Sequence, residues 1–491
     1  MPEAPEIASN RKDLGDLQRG MLAILGGSVA RTIARVMLIV FVVRLYGLSS
    51  FGYLGEVAAL IELSAALASF GLPKTLLAYL DEVKGEAAAE GQLITNAIVV
   101  SATIGLVLAG MLWLIWSSIF PASSGVPSHV AIAVAMIAAT ELLLTVTRSR
   151  RVIRWDTLIK GVIKPWSFLL FAFIGYFLLV KSAYLTPVAT LFAAYLGSIV
   201  VSMAIAMIGF IQTQRFQQFA LVAPKFGAMF ALAKRSFATA IVDAGSFSFR
   251  RLDIILLGLI AGPMATGIYY LVQQIATVVE KMRHLFEPMA APVLAQSKSL
   301  AVTQAHLQKL CLWIFASQVG LATIFILFAV PVLGLFDVVH TQAMLLMALI
   351  LFGEIAEGTS GLVELPMVFN HPIVASRNIL VTFFCELTFV TSGAYLFGIL
   401  GAAAGFAIAM SILAMLRFRA ARRQLGLTIW QLSFVKPLVA SITLIIVITV
   451  AGMFLTADNI GKLVAAIAAS LALYLILLRF MGLSLRIADP T

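Results

Sequence analysis

The sequence has few charged residues, few histidines and few cysteines for its length. Only 12% of the 491 residues are charged, whereas 61% are hydrophobic. A soluble fold cannot bury so large an apolar fraction, so the composition excludes a water-soluble globular protein and indicates a chain dissolved mainly in lipid. Both cysteines, Cys311 and Cys385, lie in apolar segments. We interpret them as small core residues rather than as a disulfide pair.

The sequence also lacks the motifs of common hydrolases, metalloenzymes and nucleotide-binding enzymes. It contains five histidines, no HExxH, no CxxC, no GxSxG and no Walker-type phosphate loop. No connection between apolar segments is long enough to form a separate domain. We therefore predict no catalytic residue, no metal and no cofactor, and we expect the protein not to be an enzyme. Because residues 1–20 are polar, we also expect no cleavable signal there.

What the sequence does contain is a series of long apolar segments. Each is long enough to span about 30 Å of hydrocarbon at about 1.5 Å of helix per residue. The fold class that this predicts is all-α, a polytopic membrane protein of about fourteen transmembrane helices. The predicted spans are 22–46, 53–79, 93–120, 128–148, 158–180, 185–210, 229–260, 264–288, 307–335, 342–366, 373–396, 399–417, 434–455 and 461–480.

Basic residues are distributed unequally between the connections of these spans. If the connections alternate between the two sides of a membrane, one side carries 26 of the 34 Lys and Arg residues, and the other carries only Lys181 and Lys462. The positive-inside rule then predicts that both termini are cytoplasmic. The net charge of +11 is accounted for by membrane orientation, so we predict no nucleic-acid partner.

Two stretches of the chain match at a constant offset of 215 residues. In this match Gly47 corresponds to Gly262, Gly52 to Gly267 and Arg35 to Arg250. An offset of six helices gives both copies the same orientation, as in secondary transporters whose substrate site lies between parallel repeats. The predicted domains are a cytoplasmic N-terminal segment (1–21), a first six-helix half (22–210), a cytoplasmic linker (211–228), a second half (229–417), a cytoplasmic loop (418–433), and a C-terminal helix pair with tail (434–491).

Charged residues inside the apolar segments are rare and therefore informative. An Arg or Asp at the centre of a membrane helix costs about 2.5–3.5 kcal/mol on insertion scales, so it is retained only where it faces a packed interior or a watery cavity. The seventh span carries Asp243, Arg250, Arg251 and Asp253, and the first span carries Arg31 and Arg35. The two arginines of the first span are four residues apart and share one helix face.

Two interpretations of these arginines stay open. Guanidinium groups bind phosphate oxygens bidentately and stay charged. The candidates for a pyrophosphate-binding site are therefore Arg31, Arg35, Arg250 and Arg251. Alternatively, Arg250 pairs with Asp243 or Asp253 and only fixes helix packing. Since neighbouring residues of a helix point about 100° apart, we expect one of Arg250 and Arg251 to pair locally.

Acidic residues form a second candidate set. A buried carboxylate can take up a proton or ligate a cation, so such residues are candidates for ion coupling or for counter-charge. The candidates are Glu354, Glu357 and Glu364 in the Gly- and Pro-interrupted tenth span, together with Asp243, Asp253 and Glu62. The alternative is that the three glutamates of the tenth span only neutralise arginines opposite them. Near the end of the eighth span, Glu280, Arg283 and His284 form either a solvated ion-pair cluster or an inner gate.

Three stretches resemble a known family. They are RLYGLSSFGYLG beginning at Arg44, RRLDIILLGLIAGPMATGIYYL beginning at Arg250, and RSRRVIRWDTLIKGVIKP beginning at Arg148. The first two look like the signature turns of the polysaccharide-transporter branch of the MOP superfamily. The third is similar to the cytoplasmic connection between the fourth and fifth spans of that branch. The resemblance covers most of the chain.

The resemblance implies a Wzx-type flippase of the bacterial inner membrane. Such a protein would move undecaprenyl-pyrophosphate-linked sugar units from the cytoplasmic to the periplasmic leaflet by alternating access. The implied partners are a polyprenyl-pyrophosphate-linked glycan, membrane lipids and polysaccharide polymerase machinery. The motifs specify architecture, and they do not separate O-antigen of lipopolysaccharide from capsule or exopolysaccharide as cargo.

Three alternatives to a flippase stay open. A MATE-like cation-coupled drug antiporter of the same superfamily predicts an acidic cavity. A membrane-embedded glycosyl- or acyltransferase predicts a catalytic carboxylate or histidine at the membrane surface. A non-transporting assembly scaffold predicts embedded charges that are all paired with one another.

Overall fold

The computed structural model describes residues 30–83, 85–150, 152–215, 222–249, 251–295, 300–336, 342–450, 452 and 460–483. Within these ranges every regular element is a helix, and eleven helical spans are long and apolar enough to cross a membrane. The prediction of an all-α polytopic membrane protein is confirmed. The described residues up to Phe247 form one compact unit, and those from Ser248 onward form a second.

The first unit contains nine α-helices among its described residues. They are α1 (residues 30–46), α2 (Leu48–Ser69), α3 (Leu72–Glu82), α4 (Ala87–Ile119), α5 (Ala133–Ser149), α6 (Arg154–Leu158), α7 (Lys164–Gly175), α8 (Pro187–Arg215) and α9 (Phe226–Ser248). The central helix is α5, which packs against α2, α3, α4 and α8. Its residues Ala138, Leu142 and Leu144 are fully buried.

Helices of the second unit include two that double back on themselves. The set is α10 (Leu252–Ala295), α11 (Leu300–Leu327), α12 (Ala329–Gly334), α13 (Ala343–Gly361), α14 (Glu364–Asn370), α15 (Pro372–Gln424), α16 (Val435–Val450) and α17 (Ile460–Phe480). Helical geometry is interrupted at Gly262 in α10 and at Gly398 in α15. Each of these two helices is a hairpin of two arms, and each arm is named below as first or second.

The two turns matched by the sequence repeat have similar backbone conformations. Gly47, between α1 and α2, has φ 88° and ψ 157°, and Gly262 has φ 81° and ψ 177°. L-residues with side chains rarely adopt such positive φ values, so glycine is the residue that permits these reversals. The turns that the repeat predicted at Gly47 and Gly262 are therefore both present.

Four predicted spans are each divided between two helices in the structure: 53–79 between α2 and α3, 229–260 between α9 and α10, 307–335 between α11 and α12, and 342–366 between α13 and α14. The segment 229–260 was expected to be a single helix, but α9 ends at Ser248 and α10 begins at Leu252. In the gap the Arg251 N–H donates a hydrogen bond of 3.0 Å to the Ser248 carbonyl. Interruptions of this kind in membrane helices leave backbone groups available to polar partners.

Other parts of the predicted organisation stay predictions. The first span lies partly outside the described residues, and the count of fourteen spans and the cytoplasmic location of both termini remain predictions from the sequence. The predicted domain boundaries also stay predictions. Among the described residues, α9 groups with the first unit. Both cysteines, Cys311 and Cys385, are free.

The C-terminal helix pair belongs to the core of the second unit. Tyr474 of α17 is buried, and its hydroxyl donates a hydrogen bond of 2.8 Å to the Ala316 carbonyl of α11. Gly320 makes room for this ring, since a Cβ at that position would lie 2.2 Å from the Tyr474 ring. The contact shows that α16 and α17 are packed parts of this unit and not only a lipid-facing addition.

The hairpin in α15 gives a first testable prediction. A Cβ on Gly401 would lie 1.9 Å from the Gly393 carbonyl oxygen of the other arm. Because neither backbone can move away without separating the arms, we expect Gly401→Ala to lower the free energy of unfolding by about 1–3 kcal/mol. Thermal unfolding in detergent measures the loss. Gly110→Ala is the control, because a Cβ at Gly110 meets nothing within 4 Å. Equal melting temperatures for the two variants would contradict the predicted clash.

Candidate functional site

The two arginines of the first span lie on α1 as half-buried side chains. Between them Ala34 is fully buried, whereas Val36 and Met37 on the other side of the helix are about half exposed. Arg31 has an interaction partner. Arg35 makes no ion pair and no side-chain hydrogen bond within the described part of the chain. A guanidinium group that is held at an apolar helix without a counter-charge is available to an anionic ligand.

The remaining candidate arginines lie at the interruption between α9 and α10. Arg250 lies outside the described residues. Arg251 is half-buried and has an interaction partner. The pyrophosphate-binding role predicted for these two residues therefore stays a prediction.

Asp243 is paired with a distant lysine. The Lys74 Nζ lies 2.5 Å from Asp243 Oδ1 and joins α3 to α9 in the first unit. Beside it, the hydroxyls of Thr75 and Ser236 are 2.8 Å apart, and a Cβ on Gly71 would lie 2.6 Å from the Ala240 backbone nitrogen. Asp243 is thus the counter-charge of Lys74 at a close helix contact, and no contact of it with Arg250 is described.

Asp253 is fully buried at the start of α10, where three donors surround its carboxylate. Oδ2 accepts hydrogen bonds from the Tyr269 hydroxyl at 2.6 Å and from Gln273 Nε2 at 3.0 Å, and Oδ1 accepts the Ile254 N–H at 2.8 Å. Tyr269 and Gln273 lie on the second arm of α10. These bonds therefore also close the hairpin at Gly262.

Two further buried carboxylates lie near enough to act electrostatically on the same tyrosine. Glu354 of α13 and Glu386 of α15 are both fully buried, and both lie within electrostatic range of Tyr269. Three helices of the second unit thus bring Asp253, Glu354 and Glu386 to one tyrosine. We refer to these three carboxylates and Tyr269 as the acidic cluster. A buried carboxylate can take up a proton, whereas no group of three His, Cys, Asp or Glu residues in the described part of the chain is arranged to hold a metal ion.

The other two glutamates of the tenth span bind arginines. Glu357 Oε1 lies 2.6 Å from Arg283 Nη1 and 3.3 Å from Arg417 Nη1. Glu364 pairs with Arg417 Nη2, and the Ser360 hydroxyl lies 3.3 Å from Arg417 Nη1. We refer to these five residues as the arginine–glutamate network. The positive charge of Arg283 and Arg417 is thereby neutralised inside the second unit.

Glycines at the end of α13 make this network sterically feasible. A Cβ on Gly361 would lie 2.4 Å from Arg283 Cδ, and a Cβ on Gly358 would lie 2.0 Å from Gln318 Nε2. Gln318 Nε2 also donates to the Val279 carbonyl at 3.2 Å. The helix is interrupted between Gly361 and the start of α14, and Glu364 in that next helix reaches Arg417.

The remaining predicted site residues lie in separate places. Glu280 and His284 are one turn apart, with His284 Nε2 3.4 Å from Glu280 Oε1, whereas their neighbour Arg283 belongs to the arginine–glutamate network. Glu62 is half-buried on α2 and has an interaction partner. All three gate candidates lie within about one turn of α10, and their role as a gate stays a prediction.

Three buried charged residues were missed or misplaced by the sequence patterns. Arg417, the last residue of the predicted span 399–417, was counted only among the basic residues of the cytoplasmic side and was not singled out as a buried charge, yet it lies inside α15 with 4% of its surface exposed. Glu386 was not singled out, although Asn378, Thr382 and Glu386 repeat every four residues and mark a polar stripe that is buried. Glu56 of α2, which is 3% exposed, carries no such signal in the sequence.

The acidic cluster gives a second testable prediction. Tyr269→Phe removes the hydroxyl that donates to Asp253 while keeping the ring, so we expect the free energy of unfolding to fall by about 1–2 kcal/mol. Thermal unfolding in detergent measures it. Tyr395→Phe is the control, because Tyr395 is 81% exposed. If the two substitutions have the same effect, the hydrogen bond to Asp253 contributes nothing measurable.

Comparison with known proteins bears on the fold. No model of a known protein family matches the chain. No curated protein sequence matches it either. Solved structures do match, at low sequence identity, so their likeness concerns the fold alone.

Three of these structures are transporters or flippases. The lipid II flippase MurJ, in an inward closed conformation, superposes with a TM-score of 0.62 at 14% identity and covers 93% of this chain and 98% of its own. A multidrug resistance MATE family transporter of the MOP superfamily, facing inward, gives 0.58 at 12% identity, with 81% and 94% covered. A MOP superfamily transporter from Pyrococcus furiosus gives 0.50 at 13%, with 82% and 95% covered. The chain therefore has the fold of the MOP transporters.

Proposed function

We propose that this protein is a flippase for undecaprenyl-pyrophosphate-linked oligosaccharide in the bacterial inner membrane. It would move the repeat unit of O-antigen or of another surface polysaccharide from the cytoplasmic to the periplasmic leaflet by alternating access. The observation that carries the proposal is Arg35, half-buried on an apolar helix and without an ion-pair partner among the described residues.

The chemistry of Arg35 fits a diphosphate better than it fits an organic cation. Keeping an arginine in an apolar helix costs about 2.5–3.5 kcal/mol, so its retention requires a compensating interaction. A diphosphate supplies oxygens that a guanidinium group binds bidentately. An organic cation would instead be repelled by Arg35 and by Arg31 on the same helix face. We propose that Arg31, Arg35, Arg250 and Arg251 bind the pyrophosphate.

The extent of the structural likeness also supports a flippase. The superposition on the lipid II flippase includes 93% of this chain, whereas that on the inward-facing MATE transporter includes 81%. Both are likenesses of fold. The superposition on the lipid II flippase nevertheless includes more of the chain and leaves less of it to be explained separately.

A second candidate function is a cation-coupled antiporter of the MATE type. The acidic cluster favours it, because three fully buried carboxylates within electrostatic range of Tyr269 are candidates for proton uptake. In a flippase the same cluster would couple transport to an ion, so its presence is compatible with both functions. The arginines of α1 are the feature that the antiporter leaves unexplained.

Translocation in proteoliposomes tests the proposal. The purified protein is reconstituted with a fluorescent polyprenyl-pyrophosphate-linked sugar, and a membrane-impermeant quencher reports how fast the headgroup changes leaflet. We expect faster exchange than in protein-free vesicles. We also expect a slower rate for the corresponding monophosphate-linked sugar, because one phosphate presents fewer oxygens to the arginines.

Parallel measurement of organic-cation transport separates the two functions. The same vesicles are loaded with a fluorescent organic cation, and its release is followed under a proton gradient and under a sodium gradient. A protein that transports the cation and leaves both lipid-linked sugars at the protein-free rate is an antiporter, and the flippase proposal is then wrong.

A further inference from the structure

A cavity of about 990 Å³ opens on the second unit, and none of the residues of the arginine–glutamate network or the acidic cluster lines it. Its walls come from α11, α13, the second arm of α15 and residues 427–430. The volume is at the upper end of the range of about 300–1,000 Å³ that is typical of sites for small organic ligands. The cavity is therefore large enough for a ligand of substantial size.

One part of the cavity is apolar and faces outward from the unit. Phe315, Phe352, Met415 and Phe418 line it, and Phe352 and Met415 are 57% and 65% exposed. Both exposed side chains belong to helices of membrane-spanning length and hydropathy. An opening lined by exposed apolar side chains in such helices is accessible to hydrocarbon chains.

The other part of the cavity is strongly basic. Arg419, Arg422 and Arg423 all line it and are all exposed. They fall within one turn near the end of α15, so residues three and four apart share a face. Within the described part of the chain, none of the three makes an ion pair. A cluster of three unneutralised guanidinium groups at one end of an apolar cavity attracts a phosphate.

The contacts of the arginine–glutamate network show where the basic part and the apolar part of the cavity lie along α13 and α15. Arg417 bonds to residues 357 and 360 of α13, so the turn that contains Arg419 begins level with the end of α13. Phe352 lies seven residues before Thr359, or about 10 Å deeper along the helix. The cavity thus runs from three arginines at one end to an apolar interior about two helical turns away.

A buried hydroxyl at the arginine end has no partner. Thr359 lines the cavity with 4% of its surface exposed, and its Oγ1 makes no hydrogen bond within the described residues. A buried hydroxyl without a partner costs free energy, and because Oγ1 is itself covered, a ligand oxygen in the cavity offsets that cost once the Thr359 side chain rotates about χ1. This observation is independent of the arginines and points to a polar ligand group at the same end.

The wall formed by residues 427–430 is held in place. Gln308 Nε2 donates to the Thr428 carbonyl at 2.6 Å, and the Thr428 N–H donates to Gln304 Oε1 at 3.1 Å. Trp430 packs edge-on against Phe418, with ring centroids 5.6 Å apart. The cavity is therefore part of the packed structure of the second unit.

We propose that this cavity binds an anionic diacyl phospholipid of the surrounding membrane. The phosphate lies among Arg419, Arg422 and Arg423, an oxygen of the headgroup region accepts the hydrogen bond of Thr359, and an acyl chain follows the apolar wall toward Phe352. Charge complementarity selects an anionic lipid over a zwitterionic one, since three cations face the headgroup without an acidic residue in the lining. This inference goes beyond the proposed transport function and does not depend on it.

Lipid binding to the delipidated protein in detergent tests the inference. Native mass spectrometry counts bound lipid, and thermal unfolding reports stabilisation, with phosphatidylglycerol and phosphatidylcholine of equal chain length as probes. We expect phosphatidylglycerol to bind at least tenfold more tightly. We expect the combination of Arg419→Gln, Arg422→Gln and Arg423→Gln to abolish this preference.

Three further variants make the test specific. Thr359→Val should weaken phosphatidylglycerol binding several-fold, and Ala356→Phe should block it by filling the cavity. The charge-matched control combines Arg377→Gln, Lys436→Gln and Arg479→Gln, three basic residues of the same unit that do not line the cavity, and it should keep the wild-type preference. Each variant is first shown to unfold cooperatively without lipid.

Several outcomes would overturn the inference. They are equal binding of the two phospholipids, retention of the preference in the variant lacking Arg419, Arg422 and Arg423, or its loss in the charge-matched control. Stabilisation by glycerol phosphate equal to that by phosphatidylglycerol would show a free-phosphate site that needs no acyl chain. Tighter binding of a polyprenyl phosphate than of phosphatidylglycerol at the same residues would show that the occupant is not a diacyl lipid.

Discussion

Replacing Arg417 with glutamine is expected to lower the free energy of unfolding by about 3–5 kcal/mol, the cost of leaving buried charges without their partner. Arg417 is 4% exposed, its Nη1 lies 3.3 Å from Glu357 Oε1, and its Nη2 pairs with Glu364. The substitution leaves two carboxylates with Arg283 as the remaining cation of the network. No other single substitution considered for this protein has a larger expected effect on stability.

The measurement is denaturant or thermal unfolding of the purified protein in detergent. Arg377→Gln is the matched control, because it removes an exposed arginine from the same long helix and should change the stability by less than about 1 kcal/mol. Arg417→Lys should fall between the two, since lysine keeps the charge but cannot bridge two carboxylates with a planar fork. Equal stability of the glutamine variants at positions 417 and 377 would show that the network does not stabilise the fold.

Removing the Glu364 carboxylate together with Arg417 tests whether these two residues of the arginine–glutamate network interact. Arg417→Gln leaves the carboxylates of Glu357 and Glu364 without this arginine. In the double variant Arg417→Gln and Glu364→Gln, the second of these carboxylates is replaced by a neutral amide. We therefore expect the double variant to recover part of the stability lost in the single variant. A purely additive result would mean that Glu364 and Arg417 do not interact.

The sequence predicted the local structure of this protein well. Apolar length alone located the helices, and the offset of 215 residues predicted that Gly47 and Gly262 occupy equivalent turns. Their backbone angles agree, because a reversal with positive φ depends mainly on which residue stands at that position. Local conformation is therefore the level at which the sequence pattern is most informative here.

The partners of the embedded charges were much harder to predict. Arg250 of its own span was one of the partners considered for Asp243, but among the described residues Asp243 pairs with Lys74, which is 169 residues away. Which helices are neighbours is not visible in apolar spans, because the lipid-facing side and the packed side of a membrane helix are both apolar. For the same reason the burial of Arg417 was not predicted and Glu56 gave no signal at all.

A regular spacing of polar residues, unlike apolar length, does indicate which side of a membrane helix is packed against protein. Asn378, Thr382 and Glu386 follow one another at four-residue spacing on α15, and all three are buried. Polar side chains on one face of an apolar helix indicate the face that is packed against protein, since lipid offers them no partners. The same reasoning predicted one shared face for Arg31 and Arg35, and both are half-buried in the structure.

Arg35→Gln is expected to slow translocation of a pyrophosphate-linked sugar by about 10- to 100-fold, the equivalent of losing a charge-assisted hydrogen bond of about 1.5–3 kcal/mol. The protein should remain folded, because Arg35 makes no ion pair within the described part of the chain. The proteoliposome assay measures the rate, and unfolding in detergent confirms the fold. Arg44→Gln is the control, since Arg44 is an exposed arginine of the same helix.

Comparing the translocation rates of variants at position 35 distinguishes phosphate binding by Arg35 from a general effect of its positive charge. Arg35→Lys keeps the cation but lacks the bidentate fork, so it should recover only part of the rate for the pyrophosphate substrate. In an antiporter, by contrast, removing a cation from the path of an organic cation should leave its transport unchanged or faster. Wild-type translocation in Arg35→Gln, or an equal loss in Arg44→Gln, would show that Arg35 does not bind the pyrophosphate.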